Sequence, residues 1–164
     1  MPSVFFNKQE VMDVGEEWIN ILKMEAERSD KHRARLCLHQ DPKDLIQEMI
    51  IVLCQKATIR PHRSPNKPET ISVLEGKLKL FMFDDEGTIK KTLYMEGTSN
   101  RYPSIIRMSS GPWYTYIPLT EFIVIHEVTS GPFRKDDTIF PNWGPEEGPE
   151  LDNFLTNIHG RTVK

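Results

Sequence analysis

The stretch "TISVLEGKLKLFMFDDEGTIKKTLYM", Thr70 to Met95, decides the fold. It reads as strand, turn at Gly76, strand, hairpin at Asp84-Asp85-Glu86-Gly87, strand. Lys90 and Lys91 follow the hairpin and read as a solvated edge that guards against strand pairing. Upstream, "EMIIVLC" reads as a buried strand and "ATIRPHR" as another after a short turn. In "ARLCLH", Leu36 and Leu38 point one way and Arg35, Cys37 and His39 the other. Downstream, "SIIRMSSGPWYTYIPL" and "EFIVIHEV" supply more strands. About eight to ten short strands, without alternating helices, point to an all-β sandwich or barrel.

The N-terminal part is expected to be helical. Asn7 suits an N-cap with Glu10 three residues on, and Val11, Val14, Trp18 and Leu22 recur at helical spacing. "DPKDLIQ" looks like a second helix start, with Asp41 as N-cap and Pro42 at N1. After "SGPF", Pro, Gly, Asp and Asn dominate, and this tail is expected to wrap the surface, pinned by Trp143. The expected division is a helical segment over 1–30, a β-domain over 31–148 and a tail over 149–164.

With 164 residues, one domain with a real core is expected. A net charge of −3 excludes the basic surface of a nucleic-acid binder. No apolar run approaches the ~20 residues that span a bilayer, so no membrane partner is expected. The start "MPSVFFNKQEV" lacks the pattern of a signal peptide. Cys37 and Cys54 form no disulfide framework and read as thiols of a reducing cytoplasm, the expected location.

The chemistry centres on "RPHRSPNKPETISVLEG", Arg60 to Gly76. His62 and Glu69 are good ligands for a divalent metal; Ser64, two residues after His62, is not. If His62 points inward, so do Arg60 and Ser64, and Glu69 can return to the same pocket past the intervening prolines. His62-x-Ser64-x4-Glu69-x6-Gly76 carries the spacing of the first cupin motif, with Ser64 in the slot of the second His. Ser109-x-Gly111-x2-Tyr114 carries that of the second motif, with Tyr114 in the slot of the last His. Together with "RARLCLH", "IRPHR", "FDDEG", Glu127, "GPF" and "WGPEEG", the chain from about Arg33 to Gly148 resembles the WbuC-type cupin-fold metalloproteins of the RmlC-like cupin superfamily.

The resemblance implies an all-β cupin (double-stranded β-helix, or jelly-roll) barrel behind the N-terminal α-helix, with the site inside. It also implies a link to surface-polysaccharide or O-antigen sugar metabolism. The family's metal ligands map onto His62, Ser64, Glu69 and Tyr114. A divalent Fe, Ni, Zn or Mn is therefore expected to be weakly held or absent, with His39 or His126 as substitute ligands.

Arg35, Arg60, Arg63 and Arg107, with His39 and Glu127, are candidate binding residues for an anionic sugar or nucleotide sugar, because Arg suits bidentate recognition of phosphate. Trp113 and Tyr116 could stack on a sugar ring, although core packing suits Trp113 better. Three functions fit. The first is a sugar isomerase or epimerase with His62 as base and Tyr114 as acid on opposite sides of a ring carbon. The second is a metal-dependent lyase or dioxygenase-like cupin. The third is a non-catalytic module that binds a small anion or sugar. An amphipathic helix and open strand edges make a homodimer plausible.

Overall fold

The computed structural model describes residues 3–98, 101–109 and 111–160. Nine strands and two helices follow one another: β1 (Val4–Phe6), α1 (Glu16–Arg28), β2 (Arg33–Cys37), β3 (Ile46–Cys54), β4 (Glu69–Glu75), β5 (Lys77–Phe83), β6 (Ile89–Glu96), β7 (Ile105–Met108), β8 (Trp113–Pro118), β9 (Phe122–Ser130) and α2 (Pro149–His159), with a 3-10 turn at Lys135–Asp137. The strands form two sheets, one of six strands in the order β1-β2-β3-β9-β4-β7 and one of three in the order β6-β5-β8.

Alternation sets the two faces of the large sheet. Leu53, Ile71, Val73, Ile123 and Ile125 point toward the small sheet and meet Leu78, Leu80, Tyr114 and Tyr116. Leu36, Ile50, Val52 and Val124 point outward and are covered by Leu22 and Ala26 of α1. Gly76 makes the β4–β5 turn at φ 79°, and a Cβ there would strike the Phe122 carbonyl oxygen. That conformation and that contact both require glycine.

Several local expectations change. Asn7 does not cap a helix: its Oδ1 accepts from the Gln9 N–H at 2.7 Å, an Asx turn that ends β1. The helix starts nine residues later, behind Gly15, and leaves Val11 82% exposed. Asp41 does not start a helix either. Its Oδ1 accepts from the Lys43 N–H at 2.7 Å, and the Asp44 carboxylate accepts from the Gln40 N–H at 3.0 Å, closing a turn just before β3. "ATIRPHR" is not a strand. Pro61 lacks an N–H for a ladder, and among the described residues this segment makes only the bridges His62–Tyr114 and Arg63–Ile139.

The C-terminal segment also departs from a surface tail. Within 149–160, α2 buries Leu151, Leu155 and Ile158 against Phe81, Phe83 and Trp113 on the far side of the small sheet. Trp143 packs between Phe83, at 5.1 Å, and Phe154, at 6.4 Å. Residues 161–164 lie outside the described residues.

Candidate functional site

His62, Ser64, Glu69 and Tyr114 share one cleft between the sheets. Glu69 opens β4 and Tyr114 lies on β8. The His62–Tyr114 bridge, with backbone N–H···O distances of 3.0 Å in both directions, pins the His62 segment beside β8. Gly111 sits at φ 53°, where a Cβ would strike the Ser64 carbonyl, so a glycine lets the two motifs close on each other.

The polar atoms form a chain. His62 Nδ1 lies 2.8 Å from the Arg60 carbonyl oxygen, His62 Nε2 lies 3.1 Å from Tyr114 Oη, and Tyr114 Oη lies 2.7 Å from Glu69 Oε1. A carbonyl only accepts, so Nδ1 carries a proton. The phenol has one proton for two neighbours. Either a protonated Glu69 donates to Tyr114 while Tyr114 donates to a neutral His62, or Tyr114 donates to a Glu69 carboxylate beside an imidazolium. The two forms have the same net charge and differ by one proton shift at each hydrogen bond. Burial favours the neutral form, since it lowers the His62 pKa and raises that of Glu69. Burial, with the carboxyls of Glu69 and Glu127, also holds the Tyr114 phenol well above its ordinary value, so Tyr114 stays protonated.

This geometry excludes the opposed base and acid expected from sequence. His62 and Tyr114 are hydrogen-bonded to each other, their ring centroids 4.5 Å apart, and no ring carbon fits between them. The donor set does not fit a tightly held divalent metal either. Zinc binds N and O donors at about 2.0–2.2 Å and needs three or four protein ligands. Here His62 and Glu69 are both bonded to a phenol that is hard to ionise, and the remaining position is Ser64. Among the described residues, no three His, Cys, Asp or Glu side chains are grouped to hold an ion.

Glu127 is the free acid of the cleft. It lies on β9 opposite Ile71, facing inward, and among the described residues its carboxyl has no hydrogen-bond partner. Burial, reinforced by Glu69, pushes its pKa up to about 8, against the pull of Arg35 and Arg33. Between pH 4.5 and about 8 the folded protein therefore keeps a proton that the unfolded chain has released, so this group's contribution to stability falls as pH rises through that window. In Glu127→Gln that slope disappears. Melting curves should show the variant gaining on wild type between about pH 5 and pH 8.5; a constant difference would count against the buried acid.

The cleft has two lobes that share Arg35, His62, Tyr114 and Glu127. One, of about 450 Å3, is basic and lined by Lys31, Arg33, Arg35 and Arg60. The other, of about 330 Å3, is lined by Cys37, His39, Met49 and Phe133, with Ser64 and Glu69. Arg60 is fixed by donating from Nε to the Pro145 carbonyl at 3.1 Å and by stacking 4.2 Å over Phe140. His39 sits in the second lobe with Nδ1 3.0 Å from the Glu48 N–H nitrogen. His126 points to the opposite face of the sheet, where Nε2 meets Glu48 Oε1 at 2.7 Å.

Two proposed binding arginines lie elsewhere. Arg107 pairs with Thr70 in the ladder and shares its outward face, 3.3 Å from Thr70 Oγ1. Arg63, one residue out of phase with His62, stacks 4.2 Å over Trp113 and pairs with Asp85 at 3.0 Å. Trp113 is buried beneath α2, while Tyr116 faces the basic lobe. Lys31 and Phe140 also line that lobe and carried no motif, and Glu147 joins them from "WGPEEG"; only tertiary closure of the segment after β9 brings Phe140 and Glu147 there.

None of the curated proteins matches this chain. Among solved structures, it is similar to protein SO0799 from Shewanella oneidensis, with 14% identity over 79% of this chain and 85% of that one and a TM-score of 0.58. It is also similar to the capsular polysaccharide assembling protein CapF from Staphylococcus aureus, with 18% identity and a TM-score of 0.54 over 69% of this chain. The match spans 32% of that CapF chain. These likenesses are of fold alone. No helix among the described residues is long and apolar enough to cross a membrane. A family model described as "Domain of unknown function (DUF6016)" matches residues 14–95, half of the chain, and the chain belongs to that family.

Proposed function

We propose that this protein is a cupin-fold acid–base catalyst of the cytoplasm that isomerises or epimerises an anionic carbohydrate by proton transfer, without a metal. The observation that carries the reading is Glu127, an unbonded carboxyl set between the Tyr114 chain and the arginines of the basic lobe. In this reading Arg33, Arg35 and Arg60 hold the anion. The Glu127 carboxylate takes a proton from the carbon next to a carbonyl, leaving an enolate. Return of that proton from Glu127 to the former carbonyl carbon, with the neighbouring hydroxyl proton passing to the former carbonyl oxygen, gives the isomer. Delivery from Tyr114 to the other face gives the epimer, and His62 and Glu69 restore the phenol proton. Such a positioned acid or base contributes typically ~10²–10⁴-fold.

Carbohydrate is the ligand class because of the WbuC-type spacing, and the description of CapF as a capsular polysaccharide assembling protein points the same way. The test is incubation of chelator-treated protein in D2O with sugar phosphates and nucleotide sugars, followed by NMR. Deuterium should enter one C–H position, at a rate that rises through about pH 8 to a plateau above it and falls at least ~100-fold in Glu127→Gln. Binding without exchange would make the protein a binding module; exchange that returns only with added metal would restore the metal-dependent reading.

A further inference from the structure

The two lobes differ in how their charges are spent, and that difference describes the ligand. Among the described residues, no carboxylate lies within ion-pair distance of Arg33 or Arg35 in the basic lobe. Among the described residues, the hydrogen-bond partner of the Arg35 guanidinium is the Met49 sulfur at 3.9 Å. Arg60 spends Nε on a carbonyl and keeps its terminal nitrogens. Three guanidinium groups thus offer free donors to one cavity.

In the second lobe the charges are consumed internally. Lys67 Nζ pairs with Asp137 at 2.7 Å and donates to the Pro132 carbonyl at 2.6 Å. Glu69 is bonded to Tyr114. Arg134 stands exposed at the outer rim. Beside the shared Arg35 and Glu127 and the neutral Gln47, Ser64 and Thr129, the lining is Cys37, Met49 and Phe133, with Phe6 and His39 in edge-to-face contact at 6.2 Å. Cys37 adds no charge, because burial raises its thiol pKa. Phe133 is 61% exposed and Phe6 46% exposed beside this opening, apolar surface left to water.

We infer that the cleft binds a two-part ligand, with a phosphate-type anion in the basic lobe and an uncharged apolar or aromatic ring in the second lobe, joined across Arg35 and Glu127. This rests on the anion-binding reading above and adds the second half of the molecule. A ligand seated this way places its junction beside Glu127 and Tyr114, which line both lobes. The ring then works as an anchor remote from the chemistry, which is how binding energy is used to position a reacting carbon.

Three probes separate the halves: inorganic phosphate, methyl phosphate and phenyl phosphate, titrated calorimetrically into the intact chain. All three should bind, phenyl phosphate at least tenfold more tightly than methyl phosphate. Phe133→Ala, at an exposed position, should reduce that preference and leave the affinity for inorganic phosphate unchanged. Arg35→Gln should weaken all three by a similar factor. The Met49 methyl, assigned through Met49→Leu, should show a ring-current NMR shift with phenyl phosphate and none with methyl phosphate. Failure of all three probes to bind would overturn the anion reading itself. Equal binding of methyl and phenyl phosphate, or an unmoved Met49 methyl, would overturn the two-part ligand and leave the anion site standing.

Discussion

Ser64→His/Tyr114→His protein will bind Zn2+ or Ni2+ more tightly than wild type by roughly three orders of magnitude. The expectation follows from where the phenol oxygen lies. Tyr114 Oη stands 3.1 Å from His62 Nε2 and 2.7 Å from Glu69 Oε1, between the two conventional donors of the cleft. Metal–ligand distances of about 2.0–2.2 Å need only a small inward movement of those donors. An imidazole is shorter than a phenol, so the substitution vacates the oxygen's place and supplies a nitrogen. A histidine at 64, in the same lobe as Glu69, adds the fourth donor. Each single variant should lie between the extremes, since each adds one ligand. Isothermal titration of the folded proteins reads all four affinities. A double variant that folds normally and gains nothing would mean that the four side chains do not converge.

Leu151→Ala will destabilise the protein by about 3–5 kcal/mol, far more than a terminal helix lying on a surface could cost. Leu151 is fully buried, and its cluster joins Phe81 and Phe83 of β5 to Trp113 of β8. Truncation removes the transfer energy of the side chain and leaves a cavity among aromatic rings that cannot collapse onto it. The helix is tied at its other end as well, where the nearly buried Lys79 donates to the His159 carbonyl at 2.7 Å, a cation at a helix C-terminus. Leu45→Ala is the control: this side chain is 79% exposed, and its loss should change stability by less than about 0.5 kcal/mol. Urea denaturation measures both. A Leu151→Ala cost below about 1 kcal/mol would show that the C-terminal helix is not part of the core.

The strands from Thr70 to Met95 were legible because alternation, a glycine turn and an Asp-rich hairpin agree with one another. Their pattern needs no distant partner to be read. The start of α1 was not legible. Asn7 and Glu10 imitate a capping box, but the Asn7 side chain serves a turn, and the real helix begins behind a glycine with no side-chain cap. The C-terminal helix was hidden by composition. Its apolar residues, Leu151, Leu155 and Ile158, have helical spacing but follow a Pro- and Gly-rich segment that reads as loop.

For the site, parity explains both success and failure. Arg35 and His39 face inward because Leu36 and Leu38 face outward. The same parity puts Arg63 and Arg107 outside, since His62 and Met108 are their inward neighbours, and the excess of arginines obscured it. The direct His62–Tyr114–Glu69 chain depends on side-chain reach across two sheets, which spacing does not encode. Glu127 carried only a resemblance; its importance comes from burial beside Glu69, which is a property of the folded cleft.

The central claim is that Glu127 is held protonated at neutral pH and stands ready to exchange that proton with a ligand. The most direct measurement is a pH titration of its side-chain carboxyl carbon by 13C NMR in the metal-free protein, with Glu127→Gln to assign the signal. The expected midpoint is about 8. A midpoint near the ordinary 4.5 would overturn the proposal, because Glu127 would then stay ionised beside the arginines through the neutral range and be too weak a base to take a carbon-bound proton.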